Sequence, residues 1–288
     1  MKKLYIIGAF MALMGAMSAC TKDADGVAPS KIADLTAEPR EGAVILRWNV
    51  PVDSAYMYVR VEYQNHQTGK MMAKNVSVYQ DTLLVDGLLN KDGAYTFDVY
   101  SLSVDNVRSE VNQITATALP VQPKLTKVTE KINLSADNVS TNAQEPSEGP
   151  IANLVDGNYK NFFHSRWSSP VPPEPHYIDI ALPKPVEKFE IKTWYRGGSF
   201  GQCPTEITVL GSNDANTWEV IGEMSDTGVG KSTYTTPILG EEGKPYTYIR
   251  YRADVTSGNS VYFALAEMEI SKVWFDIYDP EGIYRPEE

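Results

Sequence analysis

The feature that most restricts what this chain can fold into is the spacing of its apolar residues. From Tyr58 to Tyr63, Val59, Val61 and Tyr63 alternate with Arg60 and Glu62, the period of a strand with one face in a core. Tyr95-Thr96-Phe97-Asp98-Val99-Tyr100 repeats that period after the turn signal Asn90-Lys91-Asp92-Gly93, and Ala43 to Trp48 is a further β-rich run closed by Pro51. This region shows no helical periodicity, so residues 31–119 are predicted to form a β-sandwich of short strands. The pattern returns further on. Val186 to Trp194 sets Phe189 and Ile191 against Lys188, Glu190 and Lys192, and Ile207 to Leu210 and Trp218 to Ile221 flank the polar turn Gly211 to Asn216. Tyr246 to Val255 and Tyr262 to Ile270 supply two more strands, so residues 132–272 are predicted to be a second sandwich, of the jelly-roll type. Leu119-Pro120-Val121-Gln122-Pro123-Lys124 opens a stiff, extended linker over residues 120–131. At 288 residues, and roughly 150 residues per domain, two tandem all-β sandwiches account for the chain. The aromatic segment Trp274 to Tyr278, with Ile283 and Tyr284, is expected to pack as a tail (residues 273–288) on the second module.

Charge and composition remove several classes of function. A formal net charge of −11 disfavours a broad phosphate-binding face, so nucleic acid is not an expected partner. Two cysteines cannot build a disulfide scaffold or a cysteine-rich zinc site. With three histidines and no Gly-x-Ser-x-Gly, His-Glu-x-x-His, phosphate loop or Rossmann glycine pattern, little is left for catalysis. Paired carboxylates of glycosidase type leave no local signature, but two small sandwiches offer no large cleft, and the chain is expected not to be an enzyme.

At the N-terminus, Lys2 and Lys3 precede an apolar run from Leu4 to Met17 that is too short to span roughly 30 Å of hydrocarbon. It ends in Ser18-Ala19-Cys20, which looks like a bacterial lipobox. That resemblance implies a signal peptide over residues 1–19 and a lipid anchor on Cys20, the other reading being a signal peptide cut elsewhere. Residues 20–30 form an acidic tether, in which Thr21-Lys22-Asp23-Ala24-Asp25-Gly26 is similar to the export signal of surface lipoproteins of the Bacteroides group. The location implied is the bacterial outer membrane, facing the cell exterior.

The first module resembles a fibronectin type III domain. Ile32 to Ala37 looks like its opening strand, Trp48 stands in the place of its core tryptophan, and Leu88 with Tyr95 to Tyr100 is similar to its tyrosine-corner segment. The module carries no chemical constellation and reads as a spacer. The second module resembles a discoidin domain, also called coagulation factor V/VIII type C, a family that includes carbohydrate-binding module family 32 and has a galactose-binding-like jelly roll. The motifs fall in order: Asn153-Leu154-Val155-Asp156-Gly157-Asn158, Phe163-His164-Ser165-Arg166-Trp167-Ser168, Tyr177 to Leu182, Pro204 to Asp214 with Trp218, Tyr248 to Tyr251, and Phe263 to Ile270.

The discoidin resemblance implies two sites. The Asp-Gly loop often holds a structural calcium in that family, an ion that takes about six to eight oxygens. By position, Asp156 would give a carboxylate, Asn153, Asn158 and Asn161 carbonyl oxygens, and Glu267 a carboxylate from the last strand. Asn158 and Asn161 replace the family's frequent Asp and Thr, which lowers the charge of the site, and an Asx-rich turn held by its own hydrogen bonds is the other reading. Sugars bind the family through loops at one end of the sandwich. A pyranose needs an aromatic for its C–H face and directed polar groups for its hydroxyls. The matching loops hold His164, Trp167, Arg196, Phe200, Asn259 and Tyr262, with Arg196 in the glycine-rich Tyr195-Arg196-Gly197-Gly198-Ser199-Phe200 as the leading candidate and Trp167 open between core and platform. The expected function is a non-catalytic, surface-tethered carbohydrate-binding lipoprotein that captures glycan or polysaccharide for an uptake system, beside glycan-degrading enzymes and a transporter. The alternative is an adhesion or scaffold lipoprotein with a protein partner.

Overall fold

A computed structural model describes residues 26–52, 55–172, 175–198, 202–227, 230 and 232–286. The expected signal peptide, the lipid-bearing Cys20 and the loop-tip Phe200 lie outside these residues. The chain divides into two compact units, one ending at Lys124 and taking up the chain again at Asp279, the other running from Leu125 to Tyr278.

The first unit contains β1 (Ala33–Arg40), β2 (Ala43–Asn49), β3 (Tyr58–Gln64), β4 (Met71–Ser77), β5 (Thr82–Asp86), β6 (Tyr95–Leu102) and β7 (Asn112–Ala116). They form a three-stranded sheet, β1-β2-β5, and a four-stranded sheet, β4-β3-β6-β7. The period-two pattern explains the packing: Val59, Val61 and Tyr63 of β3 and Tyr95, Phe97 and Val99 of β6 point inward and meet Val44, Leu46 and Trp48 of β2 in one core. Each such side chain contributes roughly 1.5–3 kcal/mol on full burial. Between β5 and β6 the chain makes a short 3-10 turn, Asn90–Asp92, left through Gly93 at φ 81°. The Tyr95 hydroxyl donates to Asp92 Oδ2 at 3.1 Å and accepts from the Leu89 N–H at 3.2 Å, pinning that turn to β6.

The tail follows expectation only in its first half. Trp274 to Tyr278 continue the last strand of the second unit, whereas residues from Asp279 onward belong to the first. The cause is Glu281, only 7% exposed, whose carboxylate accepts the backbone N–H groups of Asn90 (2.8 Å), Lys91 (2.9 Å) and Val121 (3.3 Å). Asp279 orders the approach by accepting from the N–H groups of Gly282, Ile283 and Tyr284.

The second unit contains β8 (Lys124–Lys131), β9 (Val139–Thr141), β10 (Phe163–His164), β11 (Tyr177–Val186), β12 (Lys188–Tyr195), β13 (Pro204–Ser212), β14 (Glu219–Met224), β15 (Thr233–Thr235), β16 (Leu239–Gly240), β17 (Tyr246–Thr256) and β18 (Ala264–Tyr278). One sheet runs β10-β18-β12-β15, with β16 also on β12 and β8 on β18; the other runs β14-β13-β17-β11-β9. The residues expected to be a linker are therefore largely β8, a strand beside β18, and the Ile132 N–H continues the pairing onto the Ile270 carbonyl at 2.8 Å. The core between the sheets gathers Ile178 and Ile180, Phe189 and Ile191, Val209, Tyr251, Leu265 and Ile270, with Phe163 edge-on to Phe263 at 5.8 Å. The fold is all-β, two sandwiches in tandem, the second a jelly roll.

Candidate functional site

At one end of the jelly roll, three segments converge: β10 with the residues before it, the loop after β12, and the loop between β17 and β18. Local chemistry holds them together. The Ser165 N–H donates to the Phe263 carbonyl (2.9 Å), the Phe263 N–H donates to Ser165 Oγ (2.8 Å), and the Ser257 N–H donates to the Cys203 carbonyl (2.9 Å). His164 is buried at the centre, 1% exposed. Its Nδ1 lies 2.6 Å from the Ser165 carbonyl, which can only accept, so Nδ1 carries the proton, and Nε2 lies 3.2 Å from the side-chain amide of Gln202. Gly149, at φ 58°, allows the chain to lie against His164: a Cβ there would stand 2.6 Å from the His164 nitrogen.

Aromatic rings flank the histidine. Phe162 meets it edge-on at 6.3 Å and Tyr262 lies tilted at 5.6 Å. The Arg196 guanidinium is spread over the Phe162 ring, 3.5 Å from its centroid, and among the described residues no carboxylate pairs with it. Arg196, Phe162, Tyr262 and Gln202 thus surround the buried His164 as one contiguous cluster. Its guanidinium edge, phenol and amide offer directed hydrogen bonds, on a footing whose geometry is already set by stacking.

Of the residues expected at this end, the structure brings together His164, Arg196 and Tyr262. Asn259 is exposed at φ 53° on a loop closed on itself by Thr256 Oγ1 and Ser260, and its described hydrogen bond stays within that loop, to the Thr256 carbonyl. Trp167 is 46% exposed and not a core residue; its indole N–H donates to Glu148 Oε1 at 3.1 Å. Sequence reasoning missed Phe162, Gln202 and the buried Glu145. The Glu145 carboxylate accepts from Ser147 N and Oγ, Trp167 N, and Ser168 N and Oγ, and so ties the loop that carries Trp167. Burial alone would raise its pKa, but the Ser147 and Ser168 hydrogen bonds outweigh burial and hold it at about 2.

The expected calcium residues lie together on the 153–161 loop and on β18. Asp156 accepts from the Asn158 N–H (2.8 Å) and the Asn161 amide (2.6 Å), Asn158 Oδ1 accepts from the Lys160 N–H (3.2 Å), and the Asn153 amide donates to the Phe162 carbonyl (2.9 Å). Two groups stay unsatisfied. Asn161 Oδ1 is buried and no described donor reaches it. Glu267, 2% exposed, has one described donor, the Gly157 N–H at 3.1 Å. Burial pushes the Glu267 carboxyl up to about 7, the Gly157 N–H opposing and the Asp156 charge adding to the rise. Among the described residues no cluster of three or more His, Cys, Asp or Glu side chains is placed to hold a metal, so any cation here would depend on amide and backbone oxygens as well as the two carboxylates.

The second unit thus gathers aromatic and hydrogen-bonding groups at one end of a jelly roll. Residues 136–268 match the model of the F5/8 type C domain, and residues 29–118 match that of a domain of unknown function, DUF4959. No curated protein matches the chain. Among solved structures, the chain is similar to the Clostridium perfringens module CpGH89CBM32-5 in complex with GalNAc-β-1,3-galactose, at 19% identity over 49% of this chain and 99% of that one, TM-score 0.42. It is similar to the family 32 carbohydrate-binding module of C. perfringens NanJ in complex with galactose, at 16% identity over 50% and 100%, TM-score 0.43. A SusE-like protein aligns at 12% identity over 83% of this chain and 96% of its own, TM-score 0.39.

Proposed function

We propose that the chain is a non-catalytic glycan-binding protein that captures saccharide at the loop end of its second module. The observation that carries this reading is the Arg196 guanidinium spread on Phe162 with no carboxylate partner among the described residues. An arginine so held keeps its donors for adjacent sugar hydroxyls, while Gln202 and Tyr262 supply the neighbouring polar edge and the buried His164 braces them from behind. The F5/8 type C match supports the assignment. A glycan array probed with the chain in calcium tests it: binding that weakens at least about tenfold in Arg196→Ala is expected, and an array without signal overturns it in favour of a protein partner.

The calcium reading belongs to the same proposal. A buried carboxylate raised to about 7 and an unmet amide oxygen are what a cation would satisfy, so Asp156, Asn161 and Glu267 are the groups that would hold it. Bound there, the ion would brace the 153–161 loop beside Phe162 and keep Glu267 ionised.

In this reading the first module is a spacer of fibronectin type III kind, supported by its three- and four-stranded sheets and by the Tyr95 hydroxyl turned back to Leu89. Cys20 carries a lipid anchor, and the protein faces outward from the outer membrane as part of a glycan uptake system. Protease treatment of intact cells is expected to remove it, and full protection would refute the outward orientation.

A further inference from the structure

The loop end is not the sole place where aromatic and hydrogen-bonding groups meet. On β11, Tyr177, Asp179 and Ala181 face away from the core, as Tyr248 and Arg250 do on the neighbouring β17. Arg250 is locked in this layer: its Nε and Nη2 donate to the two Asp179 oxygens at 2.6 and 2.8 Å, and its guanidinium lies between the rings of Tyr177 (3.7 Å) and Trp218 (4.2 Å). Trp218 is fixed at its edge as well, the indole N–H donating to the Ala215 carbonyl at 3.2 Å.

Beside this stack is a cleft of about 160 Å³ between the Ala215–Trp218 turn and the Asp137–Ser140 segment, floored by Asp179, Ala181 and Tyr248. Arg250 does not line it, so the indole meets the guanidinium with one surface and the cleft with another. Three polar groups here meet no described partner: the Asp137 carboxylate, the Ser140 hydroxyl and the Tyr248 hydroxyl.

We propose that this cleft on the outer face of the five-stranded sheet is a second saccharide subsite, taking a single neutral pyranose. The volume admits one ring. The immobilised indole, with the Ala181 and Ala215 methyl groups, offers an apolar wall for a C–H face at little cost in side-chain freedom. Asp137, Ser140 and Tyr248 stand where hydroxyls would lie. A uronate or sulfated sugar is disfavoured, because the lining holds two carboxylates and no cation.

The test uses saturation-transfer NMR and titration calorimetry on the full chain with galactose, N-acetylgalactosamine, glucose and mannose. In an Arg196→Ala background at least one of these sugars is expected to keep a saturable signal. Ala181→Phe, which fills the cleft, is expected to remove it, and Tyr248→Phe, which deletes one hydroxyl, to weaken it about tenfold. Thermal midpoints equal to that of the parent confirm that the variants fold; if Ala181→Phe does not, Tyr248→Phe decides. No signal in the Arg196→Ala background, or a signal that neither cleft variant changes, overturns the subsite. The loop-end reading fails separately, if Arg196→Ala binds like the parent protein while Ala181→Phe abolishes all binding.

Discussion

Glu145 and Glu267 lie in the same module, and each is 2% exposed, yet one is held at about 2 and the other pushed up to about 7. Desolvation acts on both; the difference is the company. Glu145 accepts from five N–H and O–H groups of Ser147, Trp167 and Ser168, whereas Glu267 has the Gly157 N–H and, close by, the repelling charge of Asp156. Burial by itself therefore does not say what a carboxylate is for. One that has its full set of donors is a structural tie, and one that lacks them has room for a cation. Glu281 in the first unit stands between the two, with three amide donors and a pKa below the ordinary value, burial opposing and the Lys91, Asn90 and Val121 N–H groups prevailing.

The comparison can be broken by experiment. The largest effect is expected from Glu145→Ala, which removes the buried acceptor of five donors and should lower the thermal midpoint of the second module by on the order of ten degrees. The pH response sharpens it, because the two glutamates have opposite signs. Glu145 titrates below its ordinary 4.5, so its contribution is complete above about 4.5 and is lost as pH falls toward about 2. Glu267 titrates above 4.5, so without calcium it takes up protons on folding, and stability is lost as pH rises from 4.5 through about 7. Midpoints measured across both windows should show the acid-side loss flattened in Glu145→Gln and the neutral-side loss flattened in Glu267→Gln.

Next in size is calcium itself. At about a hundredfold excess over Kd it should stabilise by about 2.7 kcal/mol, a rise of roughly 8 degrees over the midpoint in EDTA, and Glu267→Gln should abolish that rise. Identical midpoints with calcium and EDTA would remove the ion from the account and leave Glu267 a buried acid. Glu281→Ala should cost the first module roughly 5 degrees, in keeping with three donors in place of five; a loss as large as that of Glu145→Ala would break the dependence on donor number. Smallest in stability is Arg196→Ala, with a midpoint within about one degree of the parent protein and at least about a tenfold loss of affinity at the loop end. A large fall in its midpoint would make the Arg196–Phe162 stack structural.

These contrasts also separate what could be read in the residues from what could not. The alternation of Val59, Val61 and Tyr63, and of Phe189 and Ile191, is a local signal, and it placed the strands that build both cores. Arg196 could be singled out because an arginine among glycines has little to pack on, and His164 and Tyr262 because ordered motifs brought their loops to one end. Phe162 was hidden by its neighbour: Phe162-Phe163 reads as an apolar pair, and only β10 turns one ring to the core and the other to the site. Glu145 and Gln202 acquire their roles from partners on other loops, which no spacing reveals. Pro120 and Pro123 marked a true interruption, but the residues after them, Leu125-Thr126-Lys127-Val128-Thr129, have the β-propensity of the strand they form. Glu281 lies 190 residues from Lys91, a separation at which sequence pattern carries no information.

That last contact has a consequence for biosynthesis. Asn90, Lys91 and Val121 leave the ribosome long before the carboxylate that completes them; at about 5–20 residues per second, 190 residues are a wait of roughly 10–40 s. Within that interval every strand of the second module, up to Tyr278, has emerged. The module that begins the chain is thus the one that closes last, and a polypeptide cut short after Tyr278 would release a finished jelly roll attached to a sandwich still missing its final clasp.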